Sequence, residues 1–393
     1  MKRAPRISYV ALQFFYWAVN SAIYSFASAF LLNRGFSSSM IGLINGLGSV
    51  GSLLIDPLLA DYADHSKTSL ARILQFLTGC FILAAGTLLV WKSGSIALFL
   101  FYVLVNILHT IMHPLINEMN YRMERAGYEM NFGVARAMGS LGFSIMSAVL
   151  GVLVEKAGIG MIPVSSIVIS VIMLVLLASL NTMMPKRTAD TASETEDQPG
   201  SVSDLLEFAK GHQQLMMVAL GGTFLMFSSH ACGSYLLQII MHVGGNAKNM
   251  GMALALSAFT EIPVMMLFSR IQAKLSSGMI LRISALGYLL KQTLLLLAGS
   301  YGMILFSQLF QMISFALYLP AIVAYAHEQT TAEEGVKGQA LMPLTSAGAG
   351  LLANLSGGVL IDQLGVPAFL WACLITAVIG AILVVRYTET KRL

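Results

Sequence analysis

Apolar residues run through this chain in long blocks, with charges at only a few places inside them. Read in a window of about 19 residues, the first six blocks lie near 7–32, 40–60, 70–91, 95–117, 132–154 and 161–180. The second six lie near 215–240, 250–272, 279–298, 302–326, 339–362 and 366–386. A bilayer hydrocarbon core about 30 Å thick takes about 20 helical residues to cross. Each block has that length, so the pattern predicts an all-α integral membrane fold with twelve transmembrane helices. The first block follows a short basic head of Lys2, Arg3 and Arg6 and runs too long for a cleaved signal.

One long polar stretch interrupts the pattern, between the sixth and seventh blocks. Its centre, Thr188-Ala-Asp-Thr-Ala-Ser-Glu-Thr-Glu-Asp-Gln-Pro-Gly200, is rich in Ser, Thr and acids and poor in aromatics. Such a composition buries too little apolar surface to offset chain ordering and reads as a linker. The expected organisation is a half at 1–181, a linker at 182–213 and a second half at 214–393. The halves repeat. Gly151-Val-Leu-Val-Glu-Lys-Ala-Gly158 is echoed 207 residues later by Gly358-Val-Leu-Ile-Asp-Gln-Leu-Gly365. Pro57 and Pro263 stand 206 apart, and the pairs Gly35/Gly42 and Gly244/Gly251 stand 209 apart. Three matches at nearly one offset point to two parallel six-helix repeats.

Composition narrows the class. Hydrophobic residues make up 56% of the 393, charged residues 11%, and mean hydropathy is +0.76. Soluble domains carry about 25% charged residues, so a soluble enzyme and a one-span receptor with a large head are both excluded. The net charge of +4 carries no nucleic-acid signal, because basic residues of a membrane protein gather in its cytoplasmic loops. With the N-terminus inside, seventeen of the 23 Lys and Arg fall on the cytoplasmic side. Arg34, Lys92, Lys156 and Lys248 fall outside, and Arg136 and Lys291 fall within spans. That bias orients both termini to the cytoplasm of a multi-pass inner (cell) membrane protein. Cys80, Cys232 and Cys373 lie in apolar blocks at spacings that match no metal motif.

A charge at the bilayer centre costs roughly 2.5–3.5 kcal/mol on insertion scales, so ionisable groups inside the spans mark candidate chemistry. They are Asp56, Glu118, Arg136, Glu261 and Lys291, with His109, His113, His230 and His327. Glu261 lies about 16 Å along its span from Met250, and Lys291 lies about 10 Å from Ala298, depths at which the two can pair. Glu118 closes span four and Arg136 opens span five, both toward the cytoplasm. One reading has Glu118 and Arg136 contacting substrate, with Glu261 and Lys291 handling coupling. A carboxylate accepts from hydroxyls, Arg presents a rigid fork of donors, and a carboxyl in the membrane can carry a proton. The other reading has these pairs locking helices together. Asp56 precedes Pro57, which removes a helical hydrogen bond, and reads as a cavity residue or a partner of a polar neighbour. His109 and His113 share a helical face; no carboxylate completes a metal site there. Gln13, Asn20, Asn106, Gln292, Gln308 and Gln311 are further polar positions inside spans. The Gly139/Gly142 and Gly348/Gly350/Gly357/Gly358 runs suit close helix packing.

Over its whole length the chain resembles the major facilitator superfamily. The loop Ala60-Asp61-Tyr62-Ala63-Asp64, with Lys67 and Arg72, resembles that superfamily's signature loop, with Ala60 where Gly is usual. The segment Asn131-Phe-Gly-Val-Ala-Arg136-Ala-Met-Gly-Ser-Leu-Gly-Phe143 is similar to the fifth helix of the lactose permease group of sugar–proton symporters. That resemblance implies a galactoside-binding role for Glu118 and Arg136, and an apolar platform at Phe143 where the group has Trp. Glu261, in Thr260-Glu-Ile-Pro263, matches the group's eighth-helix acid, and Lys291 stands near its ninth-helix Arg. The tenth-helix stretch Leu309-Phe-Gln-Met-Ile-Ser-Phe315 lacks the group's His and Glu. Nucleoside and phenylpropionate relatives share the helix-five pattern.

The expected function is secondary active transport by alternating access: proton-coupled symport of a sugar or similar small hydroxylated solute. Substrate binding falls to Glu118, Arg136 and Phe143, and proton coupling to Glu261, Lys291 and Asp56. The alternative on the same fold is uptake of an aromatic carboxylate or nucleoside, or efflux of an amphipathic compound. No enzyme activity, metal or cofactor is expected, and the expected partners are solute, protons and lipid around a monomer.

Overall fold

The computed structural model describes residues 4–183, 208–330 and 335–389, and among them every regular element is helical. Most of the expected linker lies outside the described residues. The first elements are α1 (Ala4–Asn20), α2 (Ala27–Asn33), α3 (Ser38–His65), α4 (Leu70–Val90), α5 (Ile96–Arg125), α6 (Phe132–Ala157) and α7 (Met161–Met183). There follow α8 (Gln213–Ser234), α9 (Leu236–His242), α10 (Ala247–Gln272), α11 (Ser277–Leu296), α12 (Tyr301–Gln308), α13 (Phe315–Glu328) and α14 (Gly335–Tyr387).

Helix starts follow local chemistry. Ser37, Ser69, Ser95 and Ser276 each accept from the amide three residues on, and the Asn131 side chain accepts from Val134 N at 3.0 Å. Each side chain satisfies one of the orphan amides of the first turn.

Eleven helical stretches have the length and apolarity to cross a membrane. The last, Thr345–Tyr387, holds 43 residues, about 64 Å of helix, roughly twice the hydrocarbon thickness. It is broken at Gly365, where φ is 81° and ψ 172°. Two crossings therefore follow one another there almost without a loop, and the expected twelve spans are present.

The repeat is visible in the backbone. Gly158, at the C-terminal cap of α6, has φ 87° and ψ 173°, nearly the conformation of Gly365, its counterpart 207 residues on. Only glycine occupies that region without strain. The first span breaks at Phe26, after a wide turn at Ser21–Ser25, and the seventh breaks at Tyr235, 209 residues later. The Tyr102 hydroxyl donates to the Ile23 carbonyl in that wide turn at 2.7 Å, satisfying a group the regular ladder releases.

Contacts divide the chain into two units. The first comprises α1–α7 with the start of α10, Ala247–Ala255. In it α1 packs on α6 and α7, α4 on α5 and α7, and α3 on α5. The Ser144 hydroxyl donates to the Ala255 carbonyl at 2.8 Å, and Lys248 pairs with Glu155 at 2.9 Å. The second unit holds α8, α9, the rest of α10 from Leu256, and α11–α14. There α14 packs on α8 and α11, and α11 on α13. Phe208, inside the segment expected as linker, is buried in this unit's core and stacks on His212 at 4.4 Å.

Candidate functional site

In the first unit the site is built where α1, α5 and α6 meet. Gly139 and Gly142 leave α6 without side chains on the face toward α1. A Cβ at Gly139 would collide with Cδ1 of Trp17, and one at Gly142 with the Phe14 carbonyl. Trp17 therefore lies directly on α6. The Arg136 guanidinium covers its ring, with Cζ 4.1 Å from the centroid, and donates to Ser140 Oγ at 3.1 Å. A cation over an indole face is attracted by the ring quadrupole.

The two histidines of α5 share one face, and Tyr16 explains why. Its ring stacks on His109 at 4.4 Å and on His113 at 5.6 Å, and its hydroxyl donates to the His109 carbonyl. His113 also meets Trp17 edge-on at 5.5 Å. A polar string runs along α1 and α5: Gln13 Nε2 donates to Tyr9 and to Asn117 Oδ1, and Asn117 Nδ2 lies 3.3 Å from His113 Nε2. Asn20 Nδ2 lies 3.3 Å from His109 Nε2. Asp56 lies on α3, which packs on α5.

Four polar atoms on these residues are buried without a hydrogen-bond partner: Gln13 Oε1, Trp17 Nε1, Asp56 Oδ1 and His109 Nδ1. An unpaired buried polar atom costs about 1–3 kcal/mol, and four on neighbouring helices form a set of unused donors and acceptors.

Glu118 has a different setting from Arg136. Its carboxylate accepts from Arg122 Nε at 3.0 Å and from Arg125 at 2.9 Å, both on its own helix. Arg122 also pairs with Asp64 at 2.6 Å, which ties the end of α3 to α5; the segment Ala60–Asp64, expected as a loop, is the last stretch of α3, which ends at His65. Phe143 is half-buried on α6, while the aromatic surface against Arg136 comes from Trp17.

The second unit carries a chain of three. Lys291 Nζ donates to Gln311 Oε1 at 2.6 Å, and Gln311 Nε2 donates to Glu261 Oε1 at 2.8 Å. Glu261 and Lys291 are 9% and 8% exposed. The depth estimate from α10 and α11 is met, through an amide rather than by direct contact. Gln311 sits in the short 3₁₀ turn Leu309–Met312, in the stretch with no titratable group. Nearby, Cys232 donates to Gln292 Oε1 at 3.2 Å, and His230 Nε2 lies 3.4 Å from Ser346 Oγ.

Two participants were not singled out in the sequence, Tyr16 and Trp17. The signal was present: they face an i, i+4 histidine pair and a glycine one turn past an intramembrane Arg. Gln311 figured only as one polar position among several.

The pattern of the MFS_1 like family matches residues 6–372. No curated protein matches the chain in sequence. Among solved structures, a variant of the nucleoside transporter NupG superposes with a TM-score of 0.81 at 15% identity, covering 98% of each chain. The POT family transporter PepTSo gives 0.71 at 11% identity, covering 98% of this chain and 97% of that one. A bacterial homolog of the human lysosomal transporter Spinster gives 0.67 at 15%, covering 98% and 95%. At these identities the likeness is one of fold.

Proposed function

We propose a substrate class and a coupling route for this chain, which belongs to the MFS_1 like family and is a multi-pass membrane transporter. It takes a small hydroxylated solute, a sugar in the first reading, together with protons. The observation that carries this is the Arg136–Trp17 stack, with unpartnered buried atoms on Gln13, Trp17 and His109 of α1 and α5 and on Asp56 of α3. Hydroxyls both donate and accept, and this set offers an indole N–H donor beside amide and carboxylate acceptors. The Trp17 surface suits the apolar face of a sugar ring. Arg136 is the main substrate ligand, with Phe143 further along α6.

A nucleoside is the second reading. Tyr16, Trp17, His109 and His113 gather four rings in one place; Tyr16 and His109 are buried, and the partly exposed Trp17 and His113 suit a purine or pyrimidine as well as a sugar. A nucleoside transporter is among the proteins of this fold.

Proton coupling runs through Glu261. Its carboxylate accepts from the Gln311 amide, whose oxygen accepts from Lys291. Protonating Glu261 weakens its acceptor character and so loosens a chain that reaches α11. Asp56 supplies a second carboxyl in the first unit. The chain works as a monomer in the cell membrane with both termini cytoplasmic, by alternating access.

Substrate-triggered proton flux in proteoliposomes tests the proposal, with disaccharides, monosaccharides, nucleosides and aromatic acids. Wild type should move protons with a sugar or nucleoside. Glu261→Gln should abolish proton movement yet retain solute exchange, and Arg136→Gln should lose both. Solute uptake in wild type without proton movement would overturn the coupling route. A response to aromatic acids alone would overturn the substrate class.

A further inference from the structure

We propose that a groove along the C-terminal end of α10 holds one anionic membrane phospholipid. Its acyl chain lies on Pro263, Leu267 and Ile271, and its phosphate lies between Arg270 and Lys274. The groove is a cavity of about 400 Å³, with Met312 of the 3₁₀ turn as its opposite wall. Pro263, Leu267 and Ile271 recur at four-residue spacing, so they line one face of α10, and Lys274 follows in the turn just past Gln272. The apolar part comes first, over about 12 Å of helix, and the cations close the end.

That order matches an amphiphile. Arg270 and Lys274 are exposed at the terminus of a transmembrane helix, the level at which lipid headgroups lie. Neither side chain pairs with a carboxylate among the described residues. Like charges one turn apart repel, and a phosphate between them removes the repulsion. Basic pockets between membrane helices are suited to anionic headgroups. A small soluble anion would engage the cations and leave the apolar floor unused. Glu261 stands about 120° around the helix from Leu267, so the groove is separate from the Gln311-bridged chain.

The full-length protein, purified in mild detergent, can be examined by native mass spectrometry with phosphatidylglycerol or phosphatidylcholine of identical acyl chains. Wild type should retain one phosphatidylglycerol about 10-fold more than phosphatidylcholine. The Arg270→Gln/Lys274→Gln variant should lose that preference. Leu267→Trp fills the groove and keeps both charges, so it should lose the bound lipid as well; Leu267→Phe serves if the larger ring disturbs the size-exclusion profile. Glycerol phosphate should not displace the lipid. Equal retention of both lipids by wild type, or retention unchanged in either variant, would overturn the proposal. Displacement by glycerol phosphate would assign the site to a soluble anion instead. None of these outcomes depends on transport.

Discussion

The Arg136 guanidinium lies 4.1 Å above the Trp17 ring, and the two meet because Gly139 has no side chain to keep them apart. Cation–π contacts contribute about 0.5–2 kcal/mol depending on desolvation. If the stack presents Arg136 to substrate, Trp17→Ala should weaken solute binding by about 3- to 30-fold. Trp17→Phe should fall between, since Phe keeps a weaker face. Gly139→Val should resemble Trp17→Ala by displacing the ring. Equilibrium binding to purified protein checks all three; unchanged binding in Gly139→Val would show that the stack is structural.

Gln311 bridges two buried charges, and its amide satisfies both at once. Gln311→Leu removes acceptor and donor together and takes from the buried Lys291 ammonium the acceptor it has at 2.6 Å. Removing one partner of a buried charged network typically costs about 3–5 kcal/mol. The variant should therefore show a markedly lower unfolding temperature in detergent. Gln311→Glu should recover only part of that stability, since it pairs with Lys291 but replaces the donor to Glu261 with a second carboxyl that must share a proton with it, and it should alter proton flux. A thermal melt and a flux assay on the same preparations separate the two effects.

Glu118 offers a sharper test of role. Its partners Arg122 and Arg125 lie on its own helix, and its side chain is 34% exposed. A partly exposed ion pair of this kind is worth about 0–1 kcal/mol. Glu118→Gln should then melt within a few degrees of wild type, and a double-mutant cycle with Arg122→Gln should give coupling below about 1 kcal/mol. Solute affinity should change by less than in Arg136→Gln. A loss equal to that of Arg136→Gln would place Glu118 against the substrate.

The repeated glycines predict matched penalties. Gly158 and Gly365 hold φ near +85° with ψ near 172°, a region that costs other residues about 1–3 kcal/mol. Gly158→Ala and Gly365→Ala should destabilise to a similar degree, measured as lowered melting temperatures. A penalty at one site and none at the other would break the equivalence of the two turns.

Much of the fold was legible along the chain because the bilayer imposes it. A segment in hydrocarbon must satisfy its own backbone and carry few charges, so spans appear as apolar blocks whatever their neighbours. Helix starts are local in the same way, although the reading of the chain did not single them out: Ser37, Ser95 and Asn131 cap the amides that follow them. The paired Gly158 and Gly365 showed through as well, since a turn that admits only glycine leaves the same letter in both halves. The Gly365 turn is so tight, however, that the last two spans run on as one helical element.

The site was legible only in its charges. An intramembrane Arg136, Glu261 or Lys291 stands out because its cost is large. Their partners do not, because ring stacking and amide bridging depend on where helices distant in sequence come to rest. Nothing in the spacing of His109 and His113 names Tyr16, 93 residues before His109, as the ring that stacks on both. The resemblance pointed to Phe143 as the aromatic platform, whereas the packing of α1 against Gly139 brings Trp17 to Arg136. Gln311 became a bridge only once α10, α11 and the 3₁₀ turn were assembled. Hydropathy and local backbone chemistry are properties of short stretches, and the sequence determined those: twelve spans, their caps and a repeat. Which polar atom meets which is a property of packing, and only the tertiary structure decided it.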